Sequence, residues 1–338
     1  MTSLPQPRVT PLRGGPVLRW GVLAPGEIAR DFVTTLHSNT DQRVHAVASR
    51  SAERAATFAA THGIPRSYDA YEQLVADPAI DVVYIAAPHS EHRTLALLAI
   101  SAGKNVLIEK PIAVTASQAE EIAAAAASAG VFAMEAMWSR YLPQADVIAQ
   151  LLEAGRLGDV QLVSVDLGWQ FPFDRAARIF EPKLGGGAML DAGVYSLWFS
   201  QFVLGAPKTV LATGSLAATG VDAQSAVALT SASGAQASIT TSILVNTAGL
   251  ASIYGTDARL EFESGFVFPA RFRLVTADAE LSWRDESGLQ GRDGLAWEAV
   301  ALANYVAEGR KQSPVHSLAD SIALMRTIDE VRAQLGAV

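Results

Sequence analysis

Residues Arg19-Trp20-Gly21-Val22-Leu23-Ala24-Pro25-Gly26-Glu27-Ile28-Ala29 pass from an apolar stretch through a short turn into a helical pattern. Outward from this segment, between Leu18 and Met137, the same alternation recurs. Short β-branched runs at Arg19 to Ala24, Val44 to Arg50, Asp81 to Ala87, Asn105 to Glu109 and Val131 to Glu135 are separated by amphipathic helical runs. Strands apolar on both faces and joined through helices predict a parallel sheet covered on both sides, a doubly wound α/β domain. Ser117-Gln118-Ala119-Glu120 carries a capping-type signal for one of these helices, and Gly130 stands where a left-handed C-terminal cap is expected.

Past Pro143 the pattern changes. One helix is expected over Gln144 to Ala154, then long alternating strands near Val160 to Gln170, Thr209 to Ala217, Ala223 to Val245, Leu250 to Phe262 and Arg271 to Trp283. Strands joined by turns without crossover helices predict an α+β domain with a large open, mostly antiparallel sheet. Helices at Gly294 to Gly309 and Ser317 to Leu335 close the chain, Ser317 and Asp320 forming a cap-like start. At 338 residues the chain exceeds what one core supports. Two domains are expected, over residues 17–140 and 141–338.

Half the residues are apolar, 18% are charged and the net charge is −8. That balance leaves no basic footprint for nucleic acid. Without cysteine there are no disulfides, thiolate metal sites or thiol nucleophiles. No apolar stretch is long enough for a bilayer. The opening Met1-Thr2-Ser3-Leu4-Pro5-Gln6-Pro7 is polar, lacks an export-signal core, and is expected to run as a loose arm through Gly14-Gly15-Pro16. The expected location is cytoplasmic. In the second sheet, Ser225-Ala226-Val227-Ala228-Leu229-Thr230-Ser231-Ala232 offers small residues that predict close packing of an open face on a second copy, a homodimer.

The turn after the first strand is where a Rossmann domain meets its dinucleotide. Glycine there permits a tight turn and close backbone approach to a pyrophosphate held at a helix N-terminus. Only Gly26 of that pattern is present, with Ala24 and Ala29 at the outer places and Glu27 and Ile28 between. The second strand ends in Ser49-Arg50-Ser51 with Arg54 one turn on. An acidic residue at this tip binds ribose hydroxyls, whereas arginine holds a 2′-phosphate, so NADP(H) is expected over NAD(H). The fourth strand ends in Glu109-Lys110-Pro111 at the ligand-binding edge, where Lys110 would face the nicotinamide. Far downstream, Gly185-Gly186-Gly187-Ala188-Met189-Leu190-Asp191-Ala192-Gly193-Val194-Tyr195 reads as a glycine loop feeding a helix, with Asp191 and Tyr195 four apart on one helical face.

Through Glu109-Lys110-Pro111 and Asp191-x-Gly193-x-Tyr195 the chain resembles the Gfo/Idh/MocA oxidoreductase family over nearly its whole length. Met134-Glu135-Ala136-Met137-Trp138-Ser139-Arg140-Tyr141-Leu142-Pro143, with Gly186 to Asp191 and the tyrosine at 195, makes it most similar to the dimeric dihydrodiol dehydrogenase and NADP-dependent D-xylose dehydrogenase branch. The resemblance implies that Lys110 and Tyr195 converge on the substrate carbonyl or hydroxyl with Asp191 beside them. Tyr195 would act as general acid/base and Lys110 as its electrostatic support. It also implies a cofactor-contacting loop at Ala87-Pro88-His89 and His92, and a substrate pocket lined by Trp138 and Arg140. Trp169, Phe171, Phe173 and Arg178 are candidates for a further wall.

The pair His89 and His92 lacks further ligands for a coordination sphere, so no metal is expected. His37, His45, His62 and His316 are expected to be structural or exposed. The function expected is reversible NADP-dependent oxidation of a hydroxyl on a sugar, polyol or cyclic diol, with an inositol-like polyol as the alternative substrate. A non-catalytic NADP(H) sensor is the reading from a different class, and Lys110, Asp191 and Tyr195 argue against it.

Overall fold

The computed structural model describes residues 3–338; Met1 and Thr2, which begin the expected loose arm, lie outside them. From Ser3 onward the arm is tied down. The Arg8 amide donates to Asp146 Oδ2 at 2.7 Å and its guanidinium pairs with Asp146 at 3.1 Å. Arg13 pairs with Asp41, also at 3.1 Å.

The chain divides into two compact units. One comprises Val9–Tyr141 and Gly291–Ile322; the other comprises the segment up to Arg8, Leu142–Gln290 and Ala323–Val338. Division at residue 140 therefore takes no account of Gly291–Ile322, which belongs with the N-terminal sheet. Nothing local in a helical pattern states which sheet it will cover.

In the first unit, β1 (Arg19–Leu23), α1 (Glu27–Asn39), β2 (Arg43–Ala48), α2 (Ala52–His62), β3 (Arg66–Tyr68), α3 (Tyr71–Ala76), β4 (Val82–Ile85), α4 (His92–Ser101), β5 (Asn105–Glu109), α5 (Ala116–Ala129) and β6 (Ala133–Ala136) alternate. The six strands are all parallel, in the order β3-β2-β1-β4-β5-β6. This is the Rossmann order, with the ligand crevice at the carboxyl ends where the winding reverses. The strand missing from the sequence expectation is β3. It is a three-residue edge strand of Arg, Ser and Tyr, none of them buried, so it carries no apolar run. Helix α5 is capped two residues earlier than expected, by Thr115 Oγ accepting from the Gln118 amide at 3.3 Å, and ends at Gly130 in the left-handed conformation. Under the sheet, Phe32 stacks on Tyr84 at 4.0 Å between ring centres and leans on Trp20, whose indole N–H donates to Gln42 at 3.0 Å.

The second unit holds α6 (Pro143–Glu153), β7 (Val160–Gly168), α7 (Val194–Leu204), β8 (Thr209–Leu216), β9 (Asp222–Thr230), β10 (Gln236–Ser242), β11 (Ala251–Gly255), β12 (Ala258–Phe262), β13 (Arg271–Thr276) and β14 (Glu280–Arg284). Its eight strands are ordered β14-β13-β12-β11-β7-β10-β9-β8, and the β7–β10 pair is parallel while the others are antiparallel. The three long strands expected from Ala223 onward are each a hairpin. Tight turns at residues 231–235, 256–257 and 277–279 interrupt what reads as unbroken alternation. One sheet face is covered, with α7 against β7 and β10. Along β9 and β10, Ala223, Val227, Leu229, Ala237 and Ile239 are buried, whereas Gln224, Ala226, Ala228, Ser238 and Thr240 are exposed. A ladder of edge-to-face and stacked rings (Phe199, Phe262, Phe272, Trp283) runs through the core of this unit.

Helices α8 (Leu295–Ala307) and α9 (Leu318–Leu335) close the chain. At the start of α9, the Ser317 amide donates to Asp320 Oδ2 at 2.8 Å and the Asp320 amide to Ser317 Oγ at 3.2 Å, a reciprocal cap. Among the described residues no helix is long and apolar enough to cross a membrane.

Candidate active site

At the carboxyl end of β1 the chain turns through Ala24, whose φ of 63° lies in the left-handed region and whose amide donates to the Ala48 carbonyl at 3.0 Å. Alanine in this conformation costs about 1–2 kcal/mol. The turn thus keeps the shape that glycine ordinarily supplies, although the residue does not. Gly26 then precedes α1, and a Cβ built on it meets nothing within 4 Å. Open space at a helix N-terminus, where unpaired amides and the helix dipole favour negative charge, suits a pyrophosphate. Ala29 is fully buried, so the third place of the glycine pattern is a packing position. Glu27 is exposed and Ile28 half-buried at the mouth of the helix.

Beside this turn the tip of β2 is built from Ser49 and Ser51. Ser49 is buried, its Oγ accepts the Ser51 amide at 3.2 Å, and Ser51 Oγ caps α2 through the Arg54 amide at 3.3 Å. Arg54 Nη2 reaches back to the Pro25 carbonyl at 3.4 Å, placing its guanidinium against the turn after β1. Arg50 is exposed at the same tip. Tyr71, which the sequence reading did not single out, belongs here too. Burial raises the pKa of its hydroxyl, while Arg50 and Arg54 close by pull the other way.

The turn after β5 carries Lys110, followed by a cis peptide to Pro111. Its polar backbone groups are gripped one after another by buried ionisable side chains. The Lys110 amide donates to Glu109 Oε2 at 3.2 Å, and Glu109 Oε1 accepts from the Tyr84 hydroxyl. The Pro111 carbonyl lies 2.8 Å from His92 Nδ1, and His92 Nε2 lies 2.9 Å from the Ala87 carbonyl. The Ile112 amide donates to Glu135 Oε1 at 2.8 Å, and Glu135 Oε2 accepts Ser321 Oγ at 2.6 Å and pairs with His316 Nε2 at 2.9 Å.

Burial is the largest influence on Glu135, yet its bonds from His316, Ser321 and Ile112 outweigh it and hold the carboxyl below the ordinary range. Glu109 goes the other way, burial raising its pKa against Tyr84 and Lys110. On α8, Glu298 is 0% exposed and neither of its oxygens has a hydrogen-bond partner. Burial and then repulsion from Glu109 and Glu135 raise its pKa well above the ordinary value. Glu135, Glu298 and His316 are residues the sequence reading gave no site role. Glu135 lies inside the Met134 to Pro143 motif, but the other two carry no local signal.

Of the predicted cofactor residues, Ala24, Gly26, Glu27, Ile28, Ser49, Arg50, Arg54, Ala87, Pro88, His89, Glu109 and Lys110 lie at the carboxyl edge of adjoining strands β2, β1, β4 and β5. His89 is buried with its ring edge-on to His92 at 5.6 Å. His92 is 0% exposed, and both its ring nitrogens face backbone carbonyls of its own unit. Trp138 is buried in the short turn after β6, and Arg140 Nε donates to the Val315 carbonyl at 3.1 Å.

In the second unit the glycine loop enters a π-helical turn, Met189–Gly193, before α7 begins, where a regular helix was expected. Asp191 lies in that turn and Tyr195 in the first turn of α7. Two carboxylates hold the segment. Asp222, fully buried at the start of β9, accepts the Met189 amide at 2.6 Å, and burial raises its pKa. Gly187 has φ of 115°, and a Cβ there would come 2.3 Å from Asp222 Oδ1, so no other residue fits. Asp191 accepts from Arg178 Nη2 at 2.8 Å, which makes Arg178 an ion-pair partner as well as a wall candidate. Tyr195 is buried with the Trp169 ring edge-on at 6.3 Å. Phe171 packs against the buried cluster of Ile179, Phe180, Ala188, Ala223 and Ile243. Phe173 is exposed and stacks edge-on against Phe180. Among the described residues no three His, Cys, Asp or Glu side chains are grouped to hold a metal ion.

Comparison with known proteins follows the same division. Residues 18–137 match the Gfo/Idh/MocA oxidoreductase family with its NAD-binding Rossmann fold, and residues 146–261 match the Gfo/Idh/MocA C-terminal domain. The chain is 35% identical over 325 residues to trans-1,2-dihydrobenzene-1,2-diol dehydrogenase of Xenopus tropicalis, covering 94% of this chain and 98% of that one. Among solved structures it is similar to the aldose-aldose oxidoreductase of Caulobacter crescentus in complex with glycerol, at TM-score 0.84 and 25% identity, covering 94% and 97% of the two chains. It is also similar to KijD10, a 3-ketoreductase from Actinomadura kijaniata in complex with NADP and TDP-benzene, at TM-score 0.81 and 26% identity, covering 94% and 98%.

The buried carboxyl of Glu298 carries a pH signature. Below the ordinary carboxyl range the folded and unfolded chains both hold its proton. Above it the unfolded chain ionises while the folded chain keeps the proton, so folding is progressively disfavoured as pH rises toward the raised value. Glu298→Gln removes that penalty. In urea unfolding from pH 5 upward, the folding constant of the variant relative to the parent is expected to rise with pH, by up to about tenfold per unit while the folded chain keeps the proton. A fixed offset from burying the amide leaves that slope unchanged, and a flat ratio would show Glu298 ionised in the fold.

Proposed function

This chain belongs to the Gfo/Idh/MocA oxidoreductase family, and from that premise we propose that it is an NADP(H)-dependent dehydrogenase. It reversibly oxidises a hydroxyl of a sugar, polyol or cyclic diol to a carbonyl by hydride transfer. The observation that carries this reading is the joint presence of Lys110, Asp191 and Tyr195 in segments held by buried hydrogen bonds, since binding a dinucleotide needs none of the three. The similar proteins are named for a dihydrodiol, an aldose and a 3-keto compound, which belong to the same class of carbon–oxygen chemistry.

The residues at the carboxyl edge of the first sheet fit the cofactor. The open Cβ space at Gly26 and the α1 N-terminus receive the pyrophosphate, while Arg50 and Arg54 receive the ribose 2′-phosphate, with Tyr71 as a further wall. When bound, the nicotinamide supplies the hydride acceptor or donor. Proton handling falls to the protein. A phenol of ordinary pKa about 10 is a poor base at neutral pH, and an adjacent ammonium favours its ionised form. Lys110 supplies that charge and a hydrogen bond to the substrate oxygen. Tyr195 accepts the hydroxyl proton on oxidation and returns it on reduction. Asp191, paired with Arg178, orients the loop that carries Tyr195. Trp138, Arg140 and Phe171 line the substrate pocket.

The open face of the eight-stranded sheet, with Ala226, Ala228, Ser238 and Thr240 exposed, is assigned to a homodimer contact. The cysteine-free chain is assigned to the cytoplasm.

Four measurements test this reading. NADPH formation is followed across D-xylose, D-glucose, other aldoses, inositols and a trans-dihydrodiol, with NAD+ in parallel. Turnover is expected with one of these groups and NADP+, and NADPH is expected to bind at least about tenfold more tightly than NADH. Tight NADPH binding without turnover on any of them would favour the sensor. Tyr195→Phe is expected to cut turnover by about 100-fold or more, with the NADPH dissociation constant within about threefold of the parent. Light scattering at working concentration is expected to return twice the chain mass, and a monomer would refute the sheet-face contact.

A further inference from the structure

His92 opens α4 at the carboxyl end of β4 and is 0% exposed. Its Nδ1 lies 2.8 Å from the Pro111 carbonyl oxygen and its Nε2 lies 2.9 Å from the Ala87 carbonyl oxygen. Backbone carbonyls only accept hydrogen bonds. A neutral imidazole has one N–H and one lone pair, so in either tautomer it would point a lone pair at a carbonyl oxygen at hydrogen-bond distance. Only the imidazolium, with an N–H on each nitrogen, satisfies both contacts.

A buried cation needs compensation, and the Glu135 carboxylate bonded to the turn it grips provides it. The amide of the residue before Pro111 donates to the Glu109 carboxyl, and the amide of the residue after it donates to Glu135. Glu135 is held ionised by its bonds from His316, Ser321 and Ile112 against the cost of burial. The other titratable groups along the elements packed here are Tyr84 on β4, bonded to Glu109, His89, edge-on to His92, Glu91 in the short turn before α4, Lys110 itself, Glu120 on α5, Glu298 on α8, and Arg93 paired with Glu121 between α4 and α5.

We propose that His92 is a buried imidazolium that acts as a positioning residue, bolting the Lys110–Pro111 turn to the loop after β4 through two donated hydrogen bonds. The two segments it joins are the one bearing Lys110 and the one at Ala87-Pro88-His89, so a single side chain fixes the lysine relative to the strand edge where the dinucleotide is read to lie. The positioning role rests on the reading of Lys110 as the electrostatic partner of the reaction; the protonation state rests on geometry alone.

The first arm of the test therefore involves no activity. In the full chain labelled with 15N-histidine, His92, assigned by difference with His92→Phe or with selective labelling, is expected to show both ring nitrogens carrying protons at pH 7.5, above the ordinary histidine range. A single protonated nitrogen at that pH overturns the proposal, whether or not any variant folds. In the second arm, His92→Phe retains a ring without donors. Its kcat is expected to fall by about tenfold or more, with the NADPH dissociation constant within about threefold. His92→Lys, which restores a cation with several donors, is expected to recover part of that loss. Unchanged kcat in folded His92→Phe, or loss of melting temperature alone, overturns the positioning role. A fully active Lys110→Met would instead show that the reading of Lys110 had failed, while the nitrogen spectrum still decides the imidazolium.

Discussion

A backbone polar group removed from water must find a partner, and the segment from Lys110 to Ile112 has no neighbouring strand to offer one. It leaves β5 at the carboxyl edge of a parallel sheet and turns across it through a cis peptide. Its amides and carbonyl are satisfied instead by Glu109, His92 and Glu135, side chains whose own burial is expensive unless each is bonded in turn. Each demand recruits the next. Glu109 takes the Tyr84 hydroxyl, Glu135 takes Ser321 and His316, and His92 takes the Ala87 carbonyl. The buried polar network around these residues is the consequence of holding one turn still.

That chain of demands explains why Gly291–Ile322 counts with the N-terminal sheet. His316 and Ser321 are needed at Glu135, and α8 brings Glu298 among the same carboxyls. Glu298 stands apart from the others in that neither of its oxygens is bonded. Three buried carboxyls cannot all ionise cheaply at close quarters, and the one without donors is the one whose pKa is raised well above the ordinary value. In the second unit the same logic operates on a smaller scale. Asp222 caps the Met189 amide, Gly187 leaves room for that carboxylate, and Arg178 braces Asp191, so the π-turn that precedes Tyr195 is fixed by charge as much as by packing.

Much of this was legible beforehand. Apolar β-branched runs of the right length marked five of the six parallel strands, and β3 escaped because Arg66, Ser67 and Tyr68 are an edge strand with no apolar face. Gly26, Arg50, Lys110, Asp191 and Tyr195 could be singled out because each sits in a contiguous motif at an element boundary. Other features left no such mark. Ala24 adopts the left-handed conformation with no glycine to announce it. The hairpins within residues 223–283 hide inside continuous alternation, because a turn of two to five small residues hardly perturbs a period of two.

What the sequence determined by itself was therefore the local part: two classes of sheet, the order of their elements, and the boundary motifs that carry the chemistry of an oxidoreductase. Periodicity and turn chemistry act over a few residues, so they are written where they act. The tertiary structure alone decided which side chains answer the buried backbone. Ile112 is bonded by Glu135, which is bonded in turn by His316 and Ser321, partners separated by as many as 186 positions along the chain. Neither spacing nor residue type links those positions. Satisfying a buried donor is an accounting across the whole fold, and it is settled only when the chain has come back on itself.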